Sequence, residues 1–144
     1  MGEGHVQKTR PYRIVLADSH CPLREGLKRI LEERMDLDVV GEAEDGVELL
    51  RVLKQFVPHM VILDVSMPEE GVFEVTRTIK STYPAMKVLI LTMHRSHTYL
   101  RHALSAGADG YSLKEDATTE IVSAIETIRK GGIFISPLLI KNEE

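Results

Sequence analysis

The stretch that decides the fold is Met60-Val61-Ile62-Leu63-Asp64-Val65-Ser66-Met67-Pro68, where four apolar residues lead directly into an acid. A strand covered by helices on both faces is a nearly continuous apolar run, because both of its faces are buried. The run Met60–Leu63 therefore predicts an interior strand of a parallel sheet. Asp64 then stands at the mouth of the sheet rather than in a charged surface loop.

Runs of the same kind occur on both sides of this strand, and segments with helical periodicity separate them. The predicted strands are Arg13–Ala17, Asp38–Glu42, Met60–Leu63, Lys87–Leu91 and the weaker Gly110–Leu113. Apolar stripes with the 3.6-residue period of a helix are formed by Leu23, Leu27, Ile30 and Leu31, and by Ile121, Ala124, Ile125 and Ile128. This alternation predicts the α/β class: a doubly wound five-stranded parallel sheet, flanked by helices and joined by right-handed crossovers.

Length and composition exclude several classes of protein. The chain has 144 residues, of which 43% are hydrophobic and 28% charged, a balance typical of one globular domain. Its apolar stretches are too short, and too often interrupted by charge, to span a bilayer or to act as a secretory signal, so we expect no membrane partner. The single Cys21 suits a reducing cytoplasm. The net charge of -4 argues against nucleic-acid binding by this chain alone.

Polar residues follow four of the predicted strands. Asp18 follows the first strand, Asp64 the third, Thr92 the fourth and Lys114 the fifth. Ligands of doubly wound sheets bind outside the carboxyl ends of the strands, so we expect two carboxylates, one hydroxyl and one ammonium to converge at one edge. Taken singly, each residue has an ordinary structural explanation, such as a helix cap for Asp18. Their joint occurrence on four strands favours a functional site.

These four groups suit phosphoryl transfer assisted by a hard cation. Mg²⁺ keeps several waters and uses only one or two protein carboxylates. The ammonium of Lys114 and the hydroxyl of Thr92 suit the equatorial oxygens of a transferring phosphoryl group, where charge stabilisation and positioning do most of the catalysis. Asp64 is then the predicted nucleophile, and it would form an aspartyl phosphate.

Together these residues resemble the receiver domain of two-component response regulators, over roughly Tyr12 to Ile135. The motifs that carry the resemblance are Asp18 after strand one, Asp64-x-x-Met67-Pro68 after strand three, Thr92 after strand four and Gly110-Tyr111-x-x-Lys114 at strand five. Motifs similar to those of the LuxR-type (NarL/FixJ) subfamily include Leu23-Arg24-Glu25-Gly26-Leu27, Ala106-Gly107-Ala108-x-Gly110-Tyr111 and Gly131-Gly132-x-x-x-Ser136-Pro137. The resemblance implies the flavodoxin-like receiver fold.

The resemblance also implies a role for each site residue. Asp64 would accept a phosphoryl group from a histidine of a sensor kinase, as a stoichiometric phosphoacceptor rather than an enzyme. Thr92 and Lys114 would contact that group, and Ser66 would offer its backbone carbonyl to Mg²⁺. Tyr111 would be the aromatic switch residue, turning inward as the hydroxyl of Thr92 moves toward the phosphate; without the resemblance, Tyr111 is simply a half-buried strand residue.

Domain limits and partners follow from the same resemblance. Residues 1–11 are expected to be a disordered leader, residues 12–132 the receiver domain, and residues 133–144 the start of a linker to a C-terminal helix-turn-helix DNA-binding domain. The surface that responds to phosphorylation would be the fourth helix, fifth strand and fifth helix, roughly His97 to Lys130. In the family this surface serves dimerisation or contact with the output domain, so DNA would be bound only through that further domain.

One departure from the family concerns the metal. Receivers usually carry two adjacent acids after strand one, and here the second position is Ser19, whose hydroxyl is a poor ligand for Mg²⁺. We therefore expect weaker metal binding than in a typical receiver. The candidate ligands are Asp18, Asp64, the Ser66 carbonyl and, weakly, Ser19, with Glu69 or Glu70 as possible helpers. Ser66 and His94 are expected to modulate hydrolysis of the phosphoryl group.

Several alternatives remain open at this stage. Ser19 motivates a receiver-like interaction module that signals without phosphorylation, although the retained Asp64 opposes it. A haloacid-dehalogenase-like phosphatase would need an acid at Ser66 to drive turnover. A flavodoxin-like flavin carrier would need a Ser/Thr-rich phosphate loop after strand one. A histidine metal site around His94, His97 and His102 lacks acid or cysteine partners.

Overall fold

The computed structural model describes residues 11–18, 21–64 and 69–141, which form a parallel sheet between two layers of helices. The strands are β1 (Tyr12–Ala17), β2 (Leu37–Ala43), β3 (Met60–Asp64), β4 (Lys87–Thr92), β5 (Gly110–Leu113) and β6 (Phe134–Ile135). The helices are α1 (Cys21–Glu32), α2 (Gly46–Phe56), α3 (Glu69–Thr82), α4 (His97–Ser105), α5 (Ala117–Arg129) and α6 (Pro137–Lys141), and a 3-10 turn spans Lys114–Asp116. In the part of the chain so described, no helix is long and apolar enough to cross a membrane.

The strands are arranged in the order β2-β1-β3-β4-β5-β6, and all neighbouring strands run parallel. The chain goes from β1 outward to β2 and then crosses to β3 on the other side of β1. Strand order therefore reverses between β1 and β3, and sheets of this kind bind ligands in the crevice at such a reversal. This order confirms the predicted α/β class and the flavodoxin-like fold, and all five predicted strands are present.

An apolar layer covers each face of the sheet, as the continuous apolar strands require. On one face, buried residues of α1 and α5 pack on the sheet: Leu27, Leu31, Ala117, Ile121, Ala124, Ile125 and Ile128. On the other face the buried residues come from α2, α3, α4 and α6: Leu49, Val52, Leu53, Val72, Phe73, Ile79, Leu100, Ala103 and Leu139. The predicted stripe on α5 is buried in full, and the α1 stripe is buried at Leu27 and Leu31 and partly buried at Leu23 and Ile30.

The structure has one strand and one helix more than the sequence predicts. Strand β6 adds to the far edge of β5, and α6 follows it directly. They fall within residues 133–144, which are predicted to begin a linker, and within this segment Ser136 and Leu139 are fully buried. A two-residue strand is too short to show any periodicity, and the preceding Gly131-Gly132 pair marks a turn that is indistinguishable from the end of a domain. The predicted leader lies almost wholly outside the described residues.

Candidate functional site

Four polar residues stand at the carboxyl edge of the sheet. Asp18 directly follows β1, Asp64 is the last residue of β3, Thr92 is the last residue of β4, and Lys114 directly follows β5. Because β1, β3, β4 and β5 are consecutive neighbours in the sheet, the structure brings all four residues to one edge. Asp18, Asp64 and Thr92 are buried, with 4%, 1% and 0% of their surface exposed.

Asp64 and Lys114 form a buried ion pair. The Lys114 Nζ donates to Asp64 Oδ2 at 2.8 Å, and only 12% of the lysine side chain and 1% of the aspartate side chain are exposed. A buried charge is costly unless it is paired and hydrogen-bonded, so this ammonium compensates a carboxylate at the centre of the sheet edge. A carboxylate oxygen that can act as a nucleophile is therefore directly hydrogen-bonded to a cation.

The turn after β1 is held by a second charged residue, Arg24 on α1. The Arg24 Nη1 donates to the backbone carbonyl of Asp18, and Arg24 Nε lies 2.9 Å from Glu42 Oε1 on β2. The backbone N–H of Asp18 donates to the carbonyl of Ala43 at 3.0 Å. Asp18 is thereby fixed from two sides at its main chain, which leaves its position at the edge well defined.

Thr92 and His94 are linked through the main chain. The hydroxyl oxygen of Thr92 accepts a hydrogen bond from the backbone N–H of His94 at 3.0 Å. The hydroxyl hydrogen is still available to donate toward a ligand at the edge. The imidazole of His94 is exposed and packs edge-on against Tyr99, with 4.8 Å between ring centroids.

Tyr111 lies inside the domain in this structure. It occupies β5, has only 1% of its surface exposed, and belongs to the same apolar cluster as Leu100 and Ala103 of α4 and Leu139 of α6. Only two residues, Ser112 and Leu113, separate it from Lys114 along the chain. The inward ring therefore lies on the strand that delivers the site lysine.

The donor set of this edge is suited to a hard divalent cation. Asp18 and Asp64 supply two buried carboxylates, and Mg²⁺ is commonly bound by one or two carboxylates with waters completing its shell. The predicted contributions of Ser19 and Ser66 lie outside the described residues, as do the side chains of Glu69 and Glu70. An oxygen-only pair of carboxylates fits Mg²⁺ better than zinc, which prefers nitrogen and sulfur ligands.

A histidine metal centre, which the sequence disfavours, has no geometric support among the described residues, where no three His, Cys, Asp or Glu side chains cluster. His94 packs on Tyr99, His97 Nε2 hydrogen-bonds the Leu139 carbonyl at 2.8 Å, and His102 packs edge-on against Phe73. The three imidazoles are therefore engaged with different neighbours.

Two residues next to the site escape prediction from the sequence. Arg24 belongs to a motif that carries the family resemblance but does not itself predict a contact. Its bond to Asp18 depends on the packing of α1 against β2, which the sequence does not show. Ser136 lies 22 residues beyond Lys114, yet its hydroxyl accepts from the backbone N–H of Leu113 at 2.9 Å. Like Arg24, Ser136 belongs to a motif that carries the family resemblance, Gly131-Gly132-x-x-x-Ser136-Pro137, but that motif does not predict the contact with Leu113.

Comparison with known proteins agrees with this geometry. A family model described as the response regulator receiver domain matches residues 14–126. The transcriptional regulatory protein DegU of Brevibacillus brevis is 35% identical over 130 residues, which are 90% of this chain and 55% of DegU. The chain spans little more than half the length of the curated relatives it matches.

Solved structures show the same similarity. The crystal structure of a two-component response regulator of the LuxR family from Aurantimonas sp. SI85-9A1 has a TM-score of 0.85 and 37% identity, and the match covers 91% of this chain and 94% of that one. The isolated REC domain of RcsB from Salmonella enterica serovar Typhimurium, in the presence of phosphomimetic BeF3-, has a TM-score of 0.85 and 28% identity, covering 93% and 99%.

Proposed function

We propose that this chain, which belongs to the response regulator receiver domain family and to its LuxR-type branch, is a signalling switch that accepts a phosphoryl group on Asp64. The observation that carries the proposal is the buried Asp64 at the carboxyl edge, with the Lys114 ammonium 2.8 Å from its Oδ2. A carboxylate at this position can act as a nucleophile, and an adjacent cation stabilises the charge that develops on the phosphoryl oxygens.

The donor is a phosphohistidine of a sensor kinase. An Asp64 carboxylate oxygen forms a bond to phosphorus while the bond between phosphorus and the imidazole nitrogen breaks, and that nitrogen keeps the electron pair and takes up a proton. Lys114 then holds the new phosphoryl oxygens, and the hydroxyl of Thr92 donates to one of them. One phosphoryl group is accepted per chain, so the domain is a stoichiometric acceptor and not a turnover enzyme.

Asp18 and Asp64 would hold Mg²⁺, together with the Ser66 carbonyl, and when bound the cation offsets the negative charge of the incoming phosphoryl group. Ser19 in place of a second acid predicts weaker binding of the cation than in a typical receiver. It also motivates the second candidate, a receiver-like module that signals by binding alone. The ion pair of Asp64 and Lys114 supports the phosphorylation-dependent function, because it sets a cation beside the nucleophile, where charge develops in phosphoryl transfer.

The switch would spread from Thr92 to Tyr111 and the surface of α4, β5 and α5. The negative charge that phosphorylation adds at Asp64 would shift the equilibrium between two conformations of this surface. We propose that the changed surface forms a homodimer or contacts a DNA-binding output domain attached beyond this chain, as the name of the transcriptional regulatory protein DegU suggests. A single cysteine supports a cytoplasmic location, where the sensor kinase would reach the domain.

The deciding experiment is incubation with Mg²⁺ and a small phosphodonor, followed by intact-mass measurement. We expect one phosphoryl group in the wild type and none in Asp64→Ala. Glu115→Ala, at an exposed acid on the same edge, is the matched control and should be phosphorylated as the wild type is. No gain in the wild type would favour the phosphorylation-independent module, and a gain that survives Asp64→Ala would show another acceptor.

We also propose that His94 tunes the lifetime of the phosphoryl group, jointly with Ser66. Its backbone N–H binds the Thr92 hydroxyl and its imidazole is exposed beside the site. His94→Ala should change the decay rate of phosphorylated protein about two- to tenfold, the effect of one hydrogen bond in a transition state, and leave Asp64 as the acceptor. Decay followed by intact mass at fixed Mg²⁺ is the measurement, and a rate equal to that of the wild type would exclude this role.

A further inference from the structure

A segment beyond the fifth helix packs back onto β5, the strand that ends directly before Lys114. We refer to residues 134–141, which comprise β6 and α6, as the C-terminal strap. Its first two residues pair with Gly110 and Tyr111 of β5, and the Ser136 N–H donates to the Tyr111 carbonyl at 3.1 Å. The family model matches residues 14–126, so the strap lies beyond the matched part of the chain, although Ser136 and Pro137 belong to a motif similar to one of the LuxR-type subfamily.

The side chain of Ser136 continues the sheet where β6 ends. Its hydroxyl oxygen accepts from the Leu113 N–H at 2.9 Å, as a carbonyl of a longer strand would. The same hydroxyl donates to Glu120 Oε1 of α5 at 2.8 Å, and the Ser112 hydroxyl donates to that oxygen at 3.2 Å. Ser136 and Ser112 have 0% and 1% of their surface exposed, and their hydroxyl oxygens lie 3.3 Å apart, so the two serines and Glu120 form one hydrogen-bond network.

The bond from Leu113 matters because Leu113 is the residue directly before Lys114. From this geometry we infer that Ser136 is a positioning residue for phosphoryl transfer, which fixes the end of β5 and thereby holds the Lys114 ammonium on Asp64. The hydroxyl itself is oriented by the Glu120 carboxylate. Removing it leaves a buried N–H without its acceptor and frees the main chain one residue from the lysine.

The rest of the strap keeps Ser136 in place. Leu139 has 0% of its surface exposed and lies in the same apolar cluster as Tyr111, while its carbonyl accepts from His97 of α4 at 2.8 Å. The strap thus contacts Tyr111, the proposed switch residue, and helix α4, in addition to strand β5. Coupling between two sites is reciprocal. If the strap positions Lys114, then a phosphoryl group that binds Lys114 also changes the stability of the packing of the strap on β5 and α4.

The first arm of the test measures the position of Lys114 directly and needs no phosphorylation. A limiting amine-acylating reagent is applied, and modification of each lysine is followed by peptide mass spectrometry. Lys80 is the internal control, because it is also ion-paired, to Asp109 at 3.0 Å, with 20% of its side chain exposed. In Ser136→Ala we expect acylation of Lys114 to rise about two- to tenfold over wild type and that of Lys80 to stay unchanged.

The control variant is Ser123→Ala, at an exposed serine on α5, which should match the wild type at both lysines. Equal acylation of Lys114 in Ser136→Ala and wild type would overturn the inference, as would a parallel rise at Lys80, which indicates general loosening. If Ser136→Ala does not fold, Glu120→Gln tests the same path, since it weakens the group that orients the hydroxyl. The same two outcomes overturn the inference there.

The second arm rests on the proposed function. With Mg²⁺ and a small phosphodonor, Ser136→Ala should gain its phosphoryl group about two- to tenfold more slowly than Ser123→Ala, and the acceptor should remain Asp64. A normal rate despite an exposed Lys114 would overturn the positioning role. If the wild type itself gains no phosphoryl group, the proposed function fails, and the acylation arm alone still decides whether Ser136 positions Lys114.

Discussion

At the scale of single residues, His59 shows how the surroundings of a side chain far from the site favour its neutral form. It lies at the amino-terminal edge of the sheet, where its Nδ1 accepts from the Arg13 N–H at 2.8 Å and its ring stacks on Tyr12 at 4.9 Å. Partial burial, and then the positive charges of Arg13 and Arg129, hold the pKa of His59 below its usual value of 6.5. The neutral imidazole is the form that this hydrogen bond requires.

This environment predicts a loss of stability in mild acid. The pKa of His59 is lower in the folded state than in the unfolded state, so the unfolded chain takes up a proton first as the pH falls. The stabilisation by the neutral ring is complete above a pH of about 6.5 and is lost as the pH falls toward the folded pKa. His59→Asn, which keeps an acceptor but cannot be protonated, should show a smaller loss between about pH 7.5 and 5.5.

The measurement for His59 is urea unfolding at a series of pH values. His102→Gln, at an exposed histidine of α4, serves as the control and should follow the wild type. An identical pH dependence in His59→Asn and the wild type would show that another group carries the acid sensitivity.

Residues in and next to the candidate site differ in whether the sequence predicts that they lie there. Asp64, Thr92 and Lys114 are predictable because each stands directly at a strand end, and parallel strands bring their carboxyl ends together. Ser136 is not predictable, since its contact with Leu113 depends on a two-residue strand and on the turn before it. Arg24 is similar, because a helical arginine is ordinarily a solvated charge, and only the packing of α1 beside β2 buries it.

At the scale of elements, β5 packs closely against both α5 and β4 at Gly110. A Cβ added at Gly110 would lie 2.7 Å from Ile128 Cδ1 of α5 and 2.7 Å from Leu89 Cδ1 of β4. Both neighbours are buried, so neither can withdraw without disturbing the layer between the sheet and α5. Glycine is therefore required here for space, and the close approach brings α5 onto the strand that carries Tyr111.

Two glycine substitutions should act in opposite directions. Gly110→Ala should lower the free energy of unfolding by about 1 to 3 kcal/mol, because it overpacks the layer between β5 and α5. Gly26→Ala, in α1 where an added Cβ meets nothing within 4 Å, should raise it by about 0.5 to 1 kcal/mol through the better helix propensity of alanine. Denaturant unfolding measures both, and a Gly110→Ala protein as stable as the wild type would contradict this account of β5.

The elements themselves follow the sequence closely where their periodicity is long. The interior strands β1, β3 and β4 are continuous apolar runs, and the buried stripe of α5 has the spacing of a helix. Strand β6 and helix α6 are the exceptions. Two and five residues are too few to establish a period, so their positions are decided by contacts with β5 and α4 rather than by local pattern.

At the scale of the whole molecule, the net charge disfavours binding of duplex DNA by this chain alone. The net charge is -4, with 18 basic and 22 acidic residues. Several cations are also engaged in ion pairs, among them Arg34 with Glu126 and Arg129 with Asp36, both at 2.8 Å. Affinity for duplex DNA depends on neutralising phosphates with a basic surface, which this composition does not supply.

We therefore expect the chain by itself to show no saturable binding to duplex DNA. Fluorescence anisotropy of a labelled duplex should remain flat up to about 0.1 mM protein at about 50 mM salt, with and without a phosphodonor, because non-specific binders already reach this range. A basic helix-turn-helix domain assayed alongside provides the positive control. Binding that is saturable and weakens as salt is added would contradict the expectation.

The brevity of β6 has a consequence for how the protein behaves at high concentration. Were β5 the last strand, four fully buried residues and their unpaired N–H and carbonyl groups would form an open rim able to recruit a strand from another chain. Strand β6 covers part of this rim, and the Ser136 hydroxyl occupies the Leu113 N–H beyond it. Pro137 follows at once and has no N–H to offer. The segment that holds Lys114 in place therefore also shields the β5 side of the sheet from pairing with another chain.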